Sequence, residues 1–479
     1  MTVEPSDRQR WVALAVLCLG ALMIVIDVTI VNVALPSIGA DLGVSDESLT
    51  WVVNGYLLVF GGFLLLGGRL GDLYGARRVL AIGIAAFALA SLACGLAPTP
   101  ALLVAARAVQ GLGGAVVDSV SLALIVGLFT EPSKQARAMG VYGFVCSAGG
   151  SIGVLLGGVL TSTLGWPWIF FVNVPIGAVV ILLSLRLLPA DADPAGPGRR
   201  TLDVAGAFLV TAALLAAVFA TIDGRAAGWT SARTLGLYAA AAALLAAFVA
   251  VERRVAEPLM ALSLFARRNV AVADTVAVLW SAGMFAWFFI AALYLQLVLG
   301  LSALQVGLVF LAPNLLMAAC SLGISAWLVE RFGLRKPLAA GLLCGTAGLV
   351  LFARAPEQAS IAVDVMPAML LLGLAGGIAF NPLMLAATTD VDAGDAGLAS
   401  GMVNTAFMMG GAVGLAVLAS VAAAVTEGAA AGGAGESAGL LAGYRVAFGV
   451  AAAITFAGAC LALALREPRT APAPQADAA

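Results

Sequence analysis

Long apolar runs separated by short polar breaks make up most of this chain. About 20 apolar residues cross a bilayer as a helix. Runs of roughly that length fall at 11–34, 50–69, 79–97, 100–126, 138–162, 168–188, 203–222, 232–251, 270–298, 302–328, 338–354, 361–386, 398–425 and 443–465. That predicts fourteen membrane helices. The break at 67–78 carries Gly68, Asp72, Gly75, Arg77 and Arg78 in the pattern G-x-L-x-D-x-x-G-x-R-R. Its glycines let two helix ends turn tightly, and arginines beside a span mark the cytoplasmic side. An even number of spans that starts in the cytoplasm also ends there, so both termini are expected to be cytoplasmic.

The remaining charges agree with that orientation. Of the 24 Arg and Lys residues, Arg225, Arg233, Arg354 and Arg445 fall outside and Arg107 within a run, which leaves nineteen on the cytoplasmic side. Twelve or thirteen spans would invert part of the chain and spoil this bias. A second break, Ala326-x-Leu328-x-Glu330-x-x-Gly333-x-Arg335-Lys336, echoes the first and lies between runs ten and eleven. Two related six-helix halves follow, and such repeats are a transporter architecture.

The expected division is a cytoplasmic tail (1–10), a six-helix bundle (11–188), a linker (189–202), an inserted helix pair (203–251), a linker (252–269), a second six-helix bundle (270–465) and a tail (466–479). The first linker, with its Pro and Gly, reads as flexible, and the Pro/Ala-rich tail reads as disordered. Arg8 and Arg10 before an apolar stretch imitate a signal peptide. No small-residue cleavage site follows and Asp27 interrupts the run, so a retained first helix is expected.

Composition narrows the class further. The 479 residues are 62% hydrophobic and 10% charged, with a mean hydropathy of +1.07. No soluble domain hides that much apolar surface, so an all-α integral membrane protein is expected. A net charge of −2 argues against a nucleic-acid partner. With no histidine in the chain, proton chemistry near neutral pH falls to buried carboxylates. Cys18, Cys94, Cys146, Cys320, Cys344 and Cys460 lie inside apolar runs without paired spacing and read as small hydrophobes. No metal-ligand cluster, no catalytic triad and no Gly-rich loop ending in Lys-Ser or Lys-Thr is present, so neither cofactor nor ATP is expected.

The candidate chemistry is therefore carried by ionisable groups inside the runs, where they are costly and usually functional. Asp27 and Arg107 each fall roughly 10 Å below the outer surface, a matching depth at which they could pair. Trp51, Asn54 and Tyr56 lie near the same level. Asp118 shares a helix face with Arg107 but stands about 16 Å along the axis, too far to be its partner. Asp274 and Asp364, near helix ends, read as solvated. The fifth run carries Gly149, Gly153, Gly157 and Gly158, a smooth face for close packing or for sliding. A similar seam at Gly410, Gly411 and Gly414 has Asn404, Met408 and Met409 beside it. Aromatics gather on the ninth run (Trp280, Phe285, Trp287, Phe288, Phe289 and Tyr294); most read as lipid- or core-facing, and one or two could wall a cavity for a flat apolar ligand.

At this point the chain resembles the fourteen-helix drug:proton antiporter branch of the major facilitator superfamily, over nearly its whole length. The loop 68–78 looks like the first signature of that family. Leu103-x-x-x-Arg107-x-x-Gln110-Gly111-x-Gly113-Gly114-Ala115 looks like its helix 4 signature. The stretches from Ile26 to Pro36 and from Trp168 to Gly177 resemble motifs of the fourteen-helix branch. Val154 stands where the antiporter signature has proline, which removes a kink, and Pro167 replaces a position that is usually arginine.

The resemblance implies a major facilitator fold, two six-helix bundles plus two central helices, in the cell membrane. It implies export of amphipathic small molecules in exchange for protons, by alternating access, with the loop around Asp72 as a gate docking near Leu398–Gly401. Proton coupling is expected at Asp27 and Arg107, and Gln110 and Gly111 belong to the helix 4 signature. Substrate is expected between the halves, with Asn32, Asn54, Tyr56 and Asp118 as candidates on one side. Trp280, Asn314, Asn381 and Asn404 are the candidates on the other. The alternatives are a dedicated exporter of one endogenous metabolite or antibiotic, and a transporter-like ligand sensor.

Overall fold

The computed structural model describes residues 7–44, 46–129, 131–188, 203–255, 258, 260, 262–389, 391 and 396–467. The expected linker 189–202 and the tail beyond Glu467 lie outside the described residues. Within them the chain is helical with no strand, and fourteen helices are long and apolar enough to span a membrane. A bilayer core offers no water to backbone groups, so segments of this composition bond internally as helices.

The helices are α1 (Asp7–Leu42), α2 (Asp46–Tyr74), α3 (Ala76–Gly95), α4 (Pro100–Leu128), α5 (Pro132–Thr163) and α6 (Trp168–Leu187, interrupted at Val172). Next come α7 (Val204–Ala227), α8 (Ala232–Glu252), α9 (Arg268–Val298) and α10 (Ala303–Phe332). The last four are α11 (Arg335–Phe352), α12 (Ile361–Thr388), α13 (Ala396–Ala431) and α14 (Glu436–Ala462). Their starts are written locally. The Thr99 side chain accepts from Leu102 N ahead of Pro100, Ser231 accepts from Thr234 N, and Ser302 with Gln305 forms a capping box. Gly75, at φ 93°, makes the turn between α2 and α3 in a region closed to other residues.

Helices α1–α6 pack among themselves, and so do α9–α14. The two groups meet along α2 with α13 and along α5 with α10. Helix α7 lies against both α2 and α13, and α8 packs on α7. The glycine seam on α5 serves two neighbours. Gly149, Gly153 and Gly157 bear on Leu22, Ile26 and Ile30 of α1, while Gly158 bears on Ala303 and Leu304 of α10. On α13, Gly410 and Gly414 bear on Val278 and Ala282 of α9.

The twin breaks are tied down differently. Arg77 donates to the Leu185 and Leu188 carbonyls at the end of α6. At the second break Glu467 accepts from the Leu334 and Arg335 amides at 2.8 and 3.2 Å, capping the start of α11. The backbone of Asp72 closes α2, but its side chain lies outside the described residues.

Two readings from the sequence need correction. Asp274 is buried, because α13 packs along that part of α9; Asp364 does sit at a helix start, where it accepts from the Ser360 amide. Cys460 is exposed on α14 and is not a core residue, whereas Cys18, Cys94 and Cys320 are buried.

Candidate functional site

A polar network closes inside the first half. Asp27 on α1 and Arg107 on α4 are completely buried, and the Arg107 guanidinium donates to Asp27 Oδ2 at 2.6 Å. Gln110, one turn along α4, donates to Asp27 Oδ1 at 2.7 Å and accepts from Arg107 at 2.7 Å. Arg107 Nε donates to the Val52 carbonyl of α2 at 3.0 Å. Its guanidinium lies 4.4 Å from the centre of the Tyr56 ring, a cation–π contact. Gly111 makes this geometry possible: a Cβ there would stand 2.4 Å from the Tyr56 carbonyl, so only glycine lets α4 come this close to α2.

One member was not singled out from the sequence. Asn173, at the start of the second part of α6, donates to Asp27 Oδ1 at 2.9 Å and to Ser91 at 3.0 Å. Ser91 in turn donates to the Phe170 carbonyl at 2.8 Å. A neutral amide in an apolar run carries no charge to flag it; the signal available was an asparagine inside the Trp168–Gly177 motif. Asp27 thus accepts three hydrogen bonds from three side chains, and charge-assisted bonds of this kind are the strong ones. Each partner sits on a different helix or turn from Asp27, so any relative movement of α1 against α4 or α6 alters them.

The second half shows what this site replaces. Gly373 of α12 bears on the Pro313 carbonyl of α10 as Gly111 bears on Tyr56. Four residues before each glycine stand Met369 and Arg107. Met369 Sδ accepts from Trp287 Nε1 of α9 at 3.3 Å, so a Trp–Met contact occupies the place of the Asp27–Arg107 pair. The charge lies on one side of the repeat alone.

The other candidates are dispersed. Asp118 accepts from Tyr142 of α5 at 2.9 Å, well away from Arg107. Asn32 is turned onto its own helix, donating to Val28 O at 3.1 Å. Asn54 and Asn314 are fully buried without a side-chain partner, and the Tyr56 hydroxyl is likewise unbonded. Asn381 and Asn404 are half-buried. Trp280 stacks edge-on with Phe407 at 5.4 Å, beside Phe380. It also lines a cavity within the second half, with Met284, Trp287, Leu349 and Thr455, that has room for about one water molecule. Among the described residues, these candidates therefore lie at separate places in the two halves.

The Major Facilitator Superfamily pattern matches residues 17–415. The chain belongs to that superfamily. As a major facilitator transporter it has curated relatives over most of its length. A puromycin resistance protein of Streptomyces alboniger is 40% identical, the match covering 87% of this chain and 82% of the relative. A cephamycin export protein of Amycolatopsis lactamdurans is 39% identical, over 85% of this chain and 84% of the relative. A multidrug resistance protein of Mycobacterium tuberculosis is 37% identical, over 86% and 76%. Among solved structures, the nucleoside transporter NupG aligns with a TM-score of 0.65 over 95% of this chain and 99% of its own, at 12% identity, a likeness of fold. The protein is thus a multi-pass membrane transporter.

Proposed function

We propose that this transporter exports amphipathic small molecules, antibiotics or other drugs among them, in exchange for protons. The observation that carries proton coupling is the buried Asp27 carboxylate, held by Arg107, Gln110 and Asn173. Desolvation favours the neutral form of a carboxyl group, and a neighbouring guanidinium favours the charged form. Arginine keeps its charge throughout, so moving α1 relative to α4 makes or breaks the contact that holds the Asp27 carboxylate. That is the property an exchanger requires. The chain would sit in the cytoplasmic membrane with both ends in the cytoplasm, and its six-helix groups would rock about the α2–α13 and α5–α10 contacts. No nucleotide enters the scheme.

The test is efflux from cells or inverted vesicles with and without an uncoupler, at matched expression. Asp27→Asn mimics the protonated state permanently. It should end uphill efflux while leaving downhill exchange partly intact; full uphill transport by this variant moves the proton site elsewhere, with Asp118 next to be tried. A narrower reading, export of one compound made by the host, is favoured by relatives named for single compounds, puromycin and cephamycin. Competition among unrelated drugs separates the two.

A further inference from the structure

The second half contains a buried acid that the scheme above does not use. Asp274 lies on α9 four residues before Val278 and seven before Ser281, the residues on which Gly410 of α13 bears. These positions share one face of the helix, so Asp274 continues the α9–α13 seam one turn toward the start of α9. It is 5% exposed, and neither Oδ1 nor Oδ2 has a hydrogen-bond partner. Its neighbours along α9 are packed in apolar clusters: Val270 with Ala399 and Met402 of α13, and Ala273 and Ala277 with Val403 of α13.

The repeat shows that packing does not require an acid here. Asp27 and Trp287 occupy corresponding places in the two halves, and thirteen residues before each stand Leu14 and Asp274. Leu14 is buried, and the hydrophobe fills the same position in the first half. The second half has spent stability on a carboxyl group where an apolar side chain suffices.

Charges on the neighbouring elements do not reach it. Among the described residues of the elements packed on α9, those at this end are Asp7, Arg8 and Arg10 of α1, Arg267 and Arg268 at the start of α9, Arg335 and Lys336 of α11, and Arg466 and Glu467 after α14. Glu467 is engaged with the α11 amides, and the Arg466 backbone is clasped by Asn269 at 2.8 and 3.0 Å. Glu427 of α13, Glu436 and Arg445 of α14, and Asp364 of α12 lie toward the opposite ends of their helices. None donates to the Asp274 carboxyl group. A bare carboxylate without a donor is costly in such a seam, and a proton removes that cost.

We propose that Asp274 is a second proton carrier, closed off in this conformation and reached by cytoplasmic water when the second half moves against the first at the α2–α13 contact. On opening, the carboxyl O–H bond breaks, the proton passes to water and the electron pair stays on the carboxylate oxygen. The assignment rests on the exporter reading for the direction of proton flow.

Dicyclohexylcarbodiimide reacts with protonated carboxyl groups in apolar surroundings, and the adduct is located by peptide mass spectrometry on the full-length protein in liposomes. Labelling of Asp274 that declines as the pH rises, and that disappears in Asp274→Asn, is the expected result. In proteoliposomes loaded with ethidium, Asp274→Asn and Asp274→Leu should still export, with the proton-to-ethidium ratio lowered by one. Absence of the adduct at every pH, labelling that ignores pH, or an unchanged ratio in both variants overturns the proposal. Failure of the wild type to move any drug would sink the exporter reading while the labelling still decides the role of Asp274.

Discussion

Asp27 and Arg107 are not equivalent members of their pair, because one can shed its charge and the other cannot. If Arg107 is removed, the carboxyl group can take up a proton and remain buried as a neutral acid. If Asp27 is removed, a guanidinium that never deprotonates is left under the Tyr56 ring with Gln110 and the Val52 carbonyl as its remaining partners. Breaking a buried pair costs about 3–5 kcal/mol when the orphan stays charged. Asp27→Leu should therefore lower the thermal unfolding midpoint in detergent more than Arg107→Leu does. The reverse order would mean that the pair is organised by packing and not by charge. The two charged members were legible in the sequence because their depths could be counted from opposite ends of two helices. Asn173 and Ser91 were not, since neutral polar groups raise no such alarm. Asp274 was misread because distance from a helix end says nothing about which neighbour covers it.

Helices were easier to read than their limits. Every apolar run became a span, since hydropathy reports where the bilayer must be. The helices continue past those runs: α1 extends to Leu42 and α13 to Ala431, because backbone bonding does not stop where the lipid does. The paired breaks were recognisable as an echo, yet the partners that fix them were not. Arg77 reaches the end of α6, more than a hundred positions along the chain, and Glu467 returns from the far end to cap α11. The end of α2 bearing Asp72 runs beside the start of α13, where a Cβ on Gly401 would meet Leu65. A carboxylate at a helix N-terminus gains about 0.3–1 kcal/mol in exposed settings. Asp72→Asn should then slow turnover without reducing the amount of protein in the membrane. Equal efflux at equal expression would remove Asp72 from the gating scheme.

Alternating access requires that some glycine contacts hold while others part, and two neighbouring residues of α5 fall on opposite sides of that division. A Cβ on Gly157 would stand 2.8 Å from the Ile30 carbonyl of α1, inside the first half. A Cβ on Gly158 would stand 2.6 Å from the Ala303 carbonyl of α10, across to the second half. In the sequence they are a single doublet; successive residues on a helix point about 100° apart, and that angle sends them to different partners. Gly157→Leu should wedge α5 from α1 and damage the bundle itself, seen as low expression and early unfolding. Gly158→Leu should leave the bundle intact and prevent the α5–α10 contact from closing. Export would then stop in a protein that unfolds at nearly the normal temperature. A cysteine reporter placed at Leu304, beside the contact, should react faster with a membrane-impermeant maleimide in Gly158→Leu than in the parent. If both leucine variants unfold early alike, the α5–α10 contact is part of one rigid body, and the halves must separate elsewhere.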